Sequence, residues 1–209
     1  HRLAGKTRTM EGHVLISGAH GMIGSALAHH LGTLGFTVHS LARDRPQAPF
    51  NYQSKTGKVT LQPGVRLRAV INLAGPSIAD GRWSKSRKRD LLDSRERLTR
   101  ALSMALANAE HRPAVYLSAS AVGYYGASDE RSIADESTAP GSDFLAAIAT
   151  SWEAATTSAV TAGIPTAALR FGVVLSTRGG VLGKMMLPFK LCLGGRLGSG
   201  TQRMSWIAL

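Results

Sequence analysis

Cysteine is almost missing from this chain. Cys192 stands alone among 209 residues, so no disulfide framework can form within it, and no Cys/His cluster has the spacing of a zinc site. No metal is expected. Long apolar runs are also missing: no stretch of 18 reads as a membrane helix, and no basic segment leads into a short apolar core of the signal-peptide kind. The expectation is a cytoplasmic protein with no membrane partner. Acidic residues are scarce, 13 against 25 Lys and Arg, for a formal charge of +12. Such an excess raises the question of nucleic acid. Eight of the basic residues lie between Arg82 and Arg100, but Asp90, Asp93 and Glu96 are interleaved at helical spacing. No helix-turn-helix, zinc-finger or RNA-platform pattern accompanies them. The segment reads as a solvated basic helix near an anionic small molecule, with no nucleic-acid partner.

What is present is the composition of an ordinary globular domain, 44% hydrophobic with 23 glycines. The length suits one large α/β domain, or one domain plus a small appendage. A β-rich run covers His13–Ser17, and apolar spacing predicts a helix over Met22–Leu34, stopped by Gly35. Phe36–Leu41 reads as a second strand. Residues 42–64 read as a surface excursion, with Val59–Leu61 as a short third strand. Ala69–Leu73 has the apolar continuity of a central parallel strand. Helices are predicted over Ser84–Ala109, Asp143–Ala162 and Val181–Leu193, with strands at Ala114–Leu117 and Thr166–Leu169. This alternation predicts a Rossmann-like, doubly wound parallel sheet with helices on both faces.

The first strand runs into its helix through Gly18-x-x-Gly21-x-x-Gly24. Gly18 permits a tight turn, Gly21 lets a pyrophosphate approach the backbone, and Gly24 lets the helix pack on the sheet. Unpaired N–H groups and the positive helix end would then hold the phosphates. The plain alternative is a turn whose glycines serve packing alone. At the end of strand two, where an NAD site places an acid, the chain reads Arg43-Asp44. Arg43 suits a 2′-phosphate, through charge-assisted bonds worth about 1.5–3 kcal/mol each, so NADP(H) is expected ahead of NAD(H). One residue of register shift would put Asp44 in the acid's place, and a solvated turn pair is the plain alternative.

The segments VLISGAHGMIGSALA, INLAGPSIADGRW, SASAVGYYG, FLAAIATSWEAA and LRFGVVLSTRGGVLGKMMLPFKLCLGGRLGSGTQRMSWI together resemble the atypical short-chain dehydrogenase/reductases. These are the NAD-dependent epimerase/dehydratase-like, or sugar-nucleotide epimerase-like, proteins. The likeness runs from Val14 to Ile207. It implies a Rossmann domain over 13–175 and the start of a C-terminal substrate-binding portion over 176–209, while the basic, mostly polar residues 1–12 read as a linker or the tail of an upstream segment. Some members carry an upstream lipid-binding-like domain, so a fused neighbour is open, and the substrate lobe is expected to be only partly present. Carried over, Gly18, His20, Gly21, Met22, Ile23 and Gly24 match the phosphate loop. Asn72, Leu73, Ala74 and Gly75 match the segment on the adenosine side. Ser118, Ala119 and Ser120 end the strand beside the nicotinamide, and Phe171, Gly172 and Val173 follow the next strand near the same end.

The superfamily's usual Tyr-x-x-x-Lys pair is absent. The corresponding helix begins with Phe144 and holds neither Tyr nor Lys from Asp143 to Ala162. Glu153 lies too far along, by spacing alone, to replace both. The resemblance makes this loss a property of the atypical subgroup. The catalytic candidates are therefore Ser120, to orient a substrate oxygen, and Tyr124 or Tyr125, to exchange a proton. Tyr124 is favoured, and a cation such as Arg170 or Lys184 would have to lower a phenol's pKa. Packing with a bonded hydroxyl is the bland role for both tyrosines. The predicted function is NADP(H)-dependent oxidoreduction or epimerisation of a small hydroxyl or carbonyl substrate, nucleotide sugars included. The rival is a catalytically silent NADP(H)-binding sensor or scaffold.

Overall fold

A computed structural model describes residues 11–78, 80–127, 133–196 and 198–209. Its elements are β1 (His13–Ser17), α1 (Met22–Thr33), β2 (Thr37–Arg43), β3 (Asn51–Gln53), β4 (Lys58–Thr60), β5 (Leu67–Asn72), α2 (Lys85–Ala107), β6 (Val115–Ala121), α3 (Phe144–Ala154), α4 (Thr157–Thr161), β7 (Thr166–Phe171), β8 (Val173–Leu175), α5 (Gly180–Lys190) and β9 (Trp206–Ala208). Seven strands form one sheet in the order β4-β3-β2-β1-β5-β6-β7, and β8 pairs with β9 separately. All neighbours in the large sheet are parallel except β3 and β4. Among the described residues no helix is long and apolar enough to cross a membrane.

The central strands are apolar along most of their length because both sheet faces are covered, with Ser17, Asn72, Ser118 and Ser120 buried near their carboxyl ends. Leu15, Val70 and Tyr116 point to one face, where Leu98, Leu102 and Leu106 of α2 and Ala159 of α4 meet them. Val14, Ile16 and Ile71 point to the other, under Leu27, Ala28 and Leu31 of α1. Period-two alternation in the strands and a three-to-four spacing in the helices are thus two halves of one packing arrangement. This is the doubly wound Rossmann architecture. The chain builds outward from β1 to β3 and then returns to lay β5 on the other side of β1. That reversal opens a crevice at the carboxyl ends of the strands.

The excursion predicted over residues 42–64 does run over the surface in places, but two of its segments join the sheet. β3, not the Val59 segment, is the third parallel strand, and β4 folds back on it as an antiparallel edge. Phe50 and Tyr52 are buried there; interspersed Pro, Lys and Ser concealed so short a hairpin from a periodicity reading. The helix predicted over Asp143–Ala162 breaks after Ala154. Ser103 of α2 donates to the Thr156 carbonyl (2.9 Å) and accepts from the Ala159 amide (2.8 Å), drawing the backbone out of register. α5 ends at Lys190 rather than Leu193, two residues after Pro188, which has no N–H to donate to the turn before it.

Candidate active site

The β1–α1 turn is made of backbone. Gly18 has φ +76°, a left-handed conformation that glycine adopts without cost. It also lies against the β5 loop: a Cβ here would stand 3.0 Å from the Leu73 carbonyl and the Ala74 nitrogen. A Cβ on Gly24 would lie 2.1 Å from the Gly18 carbonyl oxygen, so the helix and turn touch main chain to main chain. Gly21 donates to the Gly18 carbonyl at 3.0 Å and is itself exposed, as is His20. Met22 is half-buried, and a Cβ on Gly180 would meet its Cε at 3.3 Å. α2 and α3 are capped by Ser84 and Asp143 side chains, whereas α1 has no side-chain cap and no acid in its first turn. Its free N–H groups and dipole suit an anion. A dinucleotide pyrophosphate therefore fits this turn on shape and on charge.

Arg43 closes β2 with its side chain 70% exposed. Asp44 follows at φ +54°; it accepts from the Ser54 amide (2.8 Å) and hydroxyl (2.7 Å), and its Oδ2 lies 3.8 Å from Arg43 Nε. Those bonds, the amide's foremost, hold its carboxyl below the usual range. Along β5, Asn72 is fully buried and ties the crevice wall together. It accepts from Ser17 at 2.5 Å and donates to Thr99 at 2.7 Å, and Trp152 donates to the same Thr99 hydroxyl at 2.9 Å. Leu73 and Ala74 are half-buried, and Gly75 is exposed. Ser118 is buried beneath, accepting a long bond of 3.4 Å from Asn72, and Ala119 is buried too.

At the other end the crevice is made of side chains. Ser120, on β6, donates to Glu153 Oε1 at 2.6 Å. Arg170, on β7, grips the same carboxylate with two parallel bonds, Nε to Oε1 and Nη2 to Oε2, both 2.9 Å. Its remaining nitrogen, Nη1, donates to the Tyr125 hydroxyl at 3.0 Å, and the guanidinium carbon sits 3.5 Å from the centre of the Tyr124 ring. The fork geometry uses the guanidinium on three sides. Both members of the ion pair are more than four-fifths buried. Burial pushes the Glu153 carboxyl up, but the bonds from Arg170 and Ser120 outweigh it and hold the group below the usual carboxylate range. Arg170 is raised in turn, chiefly by Glu153. The structure divides the two tyrosines: Tyr125 presents its hydroxyl to the cation, and Tyr124 its ring face.

Sequence reasoning set Glu153 aside, yet it is the hub. Its signal is positional. Glu153 follows Leu145 and Ala149 at i+8 and i+4, on a helix whose Ala146, Ile148, Ala149 and Trp152 are buried. A lone carboxylate beside that apolar stripe needs a partner. Arg170 answers this need, while Lys184 instead meets Asp80. Phe144, where the Tyr of the usual pair is missing, packs edge-on to Trp83, centroids 5.6 Å apart, with Lys88 Nζ 4.9 Å from its ring centre. Phe171 ends β7. A Cβ on Gly172 would lie 2.7 Å from the Ser205 carbonyl, which accepts from the Val173 amide at 2.8 Å. These three residues join the large sheet to the β8–β9 pair.

The profile of the NAD dependent epimerase/dehydratase family matches residues 14–208. An epimerase family protein of Mycobacterium bovis is 41% identical over 198 residues, covering 94% of this chain and 65% of its own length. A chloroplastic relative from Arabidopsis thaliana is 36% identical over 209 residues, covering 93% of this chain and 58% of its own. Among solved structures, the human epimerase family protein SDR39U1 with NADPH superposes with TM-score 0.80 at 32% identity, covering 94% of this chain and 65% of that one. A nucleoside-diphosphate sugar epimerase from Corynebacterium glutamicum gives 0.77 at 34%, covering 96% and 41%. The chain therefore spans 65% or less of the length of each of these relatives.

Proposed function

The chain belongs to the NAD dependent epimerase/dehydratase family, and from that premise we propose that it serves NADP(H)-dependent oxidoreduction or epimerisation of a small hydroxyl or carbonyl substrate, nucleotide sugars included. The observation that carries the chemistry is the Ser120–Glu153–Arg170–Tyr125 chain of bonds at the carboxyl ends of β6 and β7. Gly18, Gly21 and Gly24 would hold the pyrophosphate, with Leu73–Gly75 beside them. Arg43 would meet the 2′-phosphate. Both Asp44 oxygens are engaged by Ser54, and Arg43 meets Asp44 only at 3.8 Å with its own side chain 70% exposed, which leaves its guanidinium open to a phosphate; the human relative named above was solved with NADPH. A bound nicotinamide supplies hydride acceptance and return.

The proton belongs to the chain's own residues. The Ser120 hydroxyl hydrogen points at Glu153, so its lone pairs are what a substrate meets. A substrate hydroxyl gives its proton to Ser120 Oγ as Ser120 passes its own to Glu153 Oε1. Tyr125 has the opposite polarity. Its oxygen already accepts from Arg170, so its own hydrogen is available to a substrate oxygen. Ser120 and Glu153 thus take the proton, and Tyr125 steadies or protonates a carbonyl. This set does the work of the missing Tyr–Lys pair with a carboxylate.

Fluorescence titration of the full-length protein with NADPH and NADH tests the cofactor. NADPH should bind about tenfold more tightly or better, consistent with one charge-assisted contact. Loss of nicotinamide absorbance is then followed across carbonyl compounds and sugar nucleotides. Failure to bind either dinucleotide overturns the proposal. Tight NADPH binding without turnover on any compound transfers it to the silent sensor or scaffold.

A further inference from the structure

One buried cation takes no part in that chemistry. Arg95 lies on the inner face of α2 among Leu91, Leu98 and Leu102 and is only 5% exposed. Its Nη1 donates to the Leu91 carbonyl (3.0 Å) and its Nη2 to the Pro76 carbonyl (2.6 Å). The guanidinium carbon sits 5.1 Å from the centre of the Trp152 ring. Its Nε is buried with no hydrogen-bond partner, and among the described residues Arg95 has no carboxylate within ion-pair distance. A second cation makes matters worse. Arg87, two turns earlier, donates to the Ser77 carbonyl at 2.9 Å and likewise buries an unpartnered Nε. Burial, with Arg87 adding to it, pushes Arg95 down to about 10.

A buried charge without a counter-charge is among the costliest things a core can hold. Arg170 shows how this protein satisfies another buried cation: with a carboxylate, gripped by both oxygens. Arg95 is treated differently, and the place it occupies says why. It lies directly under Gly75, whose absent Cβ would be 3.1 Å from the guanidinium carbon. Gly75 has no left-handed φ to explain its identity; the cation beneath explains it. The loop is backbone alone at this point, it is exposed, and its neighbours Leu73 and Ala74 touch Gly18 of the phosphate turn.

We propose that the Leu73–Ser77 loop, with Arg95 and Arg87 beneath it, is a second phosphate-binding surface, separate from the N-terminus of α1. Arg95 acts through its charge across Gly75, as a positioning residue, and the missing counter-charge is a phosphoryl group of the ligand. That group belongs to the dinucleotide or to a phosphorylated substrate. The assignment rests on the dinucleotide reading above only in the first case.

The test uses 15N-labelled full-length protein and the Arg95 Nε–H resonance, identified by its loss in Arg95→Lys. NADPH, inorganic pyrophosphate and uncharged adenosine are titrated separately, and NADPH affinity is read independently by fluorescence. The resonance should move with NADPH and with pyrophosphate but not with adenosine. Arg95→Met should weaken NADPH about tenfold at low salt, and Arg95→Lys less, as a charge effect requires. A resonance that still responds to pyrophosphate in NADPH-saturated protein assigns the surface to a substrate phosphate. A response to pyrophosphate in protein that binds no NADPH keeps the anion surface while sinking the dinucleotide reading. A resonance that ignores both phosphates, in protein that binds NADPH normally, overturns the proposal. That readout needs only native protein and one conservative variant, so it stands even where Arg95→Met does not fold.

Discussion

The two ends of the crevice are made of different material. At the β1–α1 end, contacts run main chain to main chain: Gly18 against Leu73 and Ala74, and Gly24 against Gly18. At the β6–β7 end, contacts run through side chains brought from positions 120, 125, 153 and 170. A site made of backbone tolerates almost nothing added, because a methyl group has nowhere to go. A site made of side chains tolerates changes of shape but not of charge or of hydrogen count. The first kind recognises a shared feature, the phosphate; the second can be rebuilt for other chemistry while the fold stays put.

The sharpest way to break this contrast is Gly21→Val. A Cβ at Gly21 meets only the Gly18 carbonyl oxygen, at 3.3 Å, so the sheet should survive while the phosphates are shut out. NADPH affinity should fall by about two decades or more, with the melting curve nearly unchanged. Unaltered affinity in a folded variant would show that the turn is packing alone. Gly24→Ala sharpens the point, since its overlap is with backbone and should cost about 1–3 kcal/mol of stability as well.

Glu153→Gln probes the side-chain end. It leaves the Arg170 guanidinium without its counter-charge and should destabilise the fold by about 2 kcal/mol at pH 7. Because the folded carboxyl lies below its ordinary value of 4.5, its contribution is present above that value. It fades as pH falls through the lower folded one. Urea unfolding at pH 7 and again near pH 3 should therefore show the gap between wild type and variant closing in acid. A gap of the same size at both would mean that Glu153 is not held as a carboxylate.

Arg43→Ala should weaken NADPH by about one to two decades and NADH far less. Equal losses in parallel titrations would remove Arg43 as the discriminator and return Asp44 to consideration. The smallest effect belongs to the tyrosines. Tyr125→Phe removes the acceptor for Arg170 Nη1 and should cost about 1 kcal/mol or less of stability. Tyr124→Phe keeps its ring under the guanidinium and should cost less still. Once a substrate is found, single-turnover rates should drop in Tyr125→Phe and not in Tyr124→Phe; the reverse order would reassign the donor.

Legibility in the sequence follows the same division. Gly18, Gly21 and Gly24 lie within seven residues of one another, and their meaning depends only on a strand before and a helix after, both plain from apolar spacing. The sheet's central strands and α2 were readable for the same reason. β3 was not, and β4 was legible only as a short strand at Val59–Leu61 without its antiparallel place at the edge, since three-residue strands carry too little period to stand out from a polar stretch. Glu153 was hidden differently. No interval along the chain reveals that a residue on α3 will meet one on β6 and another on β7, because parallel topology, not spacing, sets that meeting. Ser120 and Arg170 face one another across the β6–β7 ladder, a register that becomes visible only once the strands are paired.

β1 lies between β2 and β5, bonded to both, although it is made before every other strand of this sheet. Its second edge stays open until Leu67–Asn72 has been made, and the wall against which Gly18 rests arrives only with Leu73 and Ala74. The glycine turn is thus spelled out early and assembled late. A nascent chain shorter than this carries the recognition sequence without the pocket. It must wait through the whole β2–β4 excursion with an apolar edge exposed.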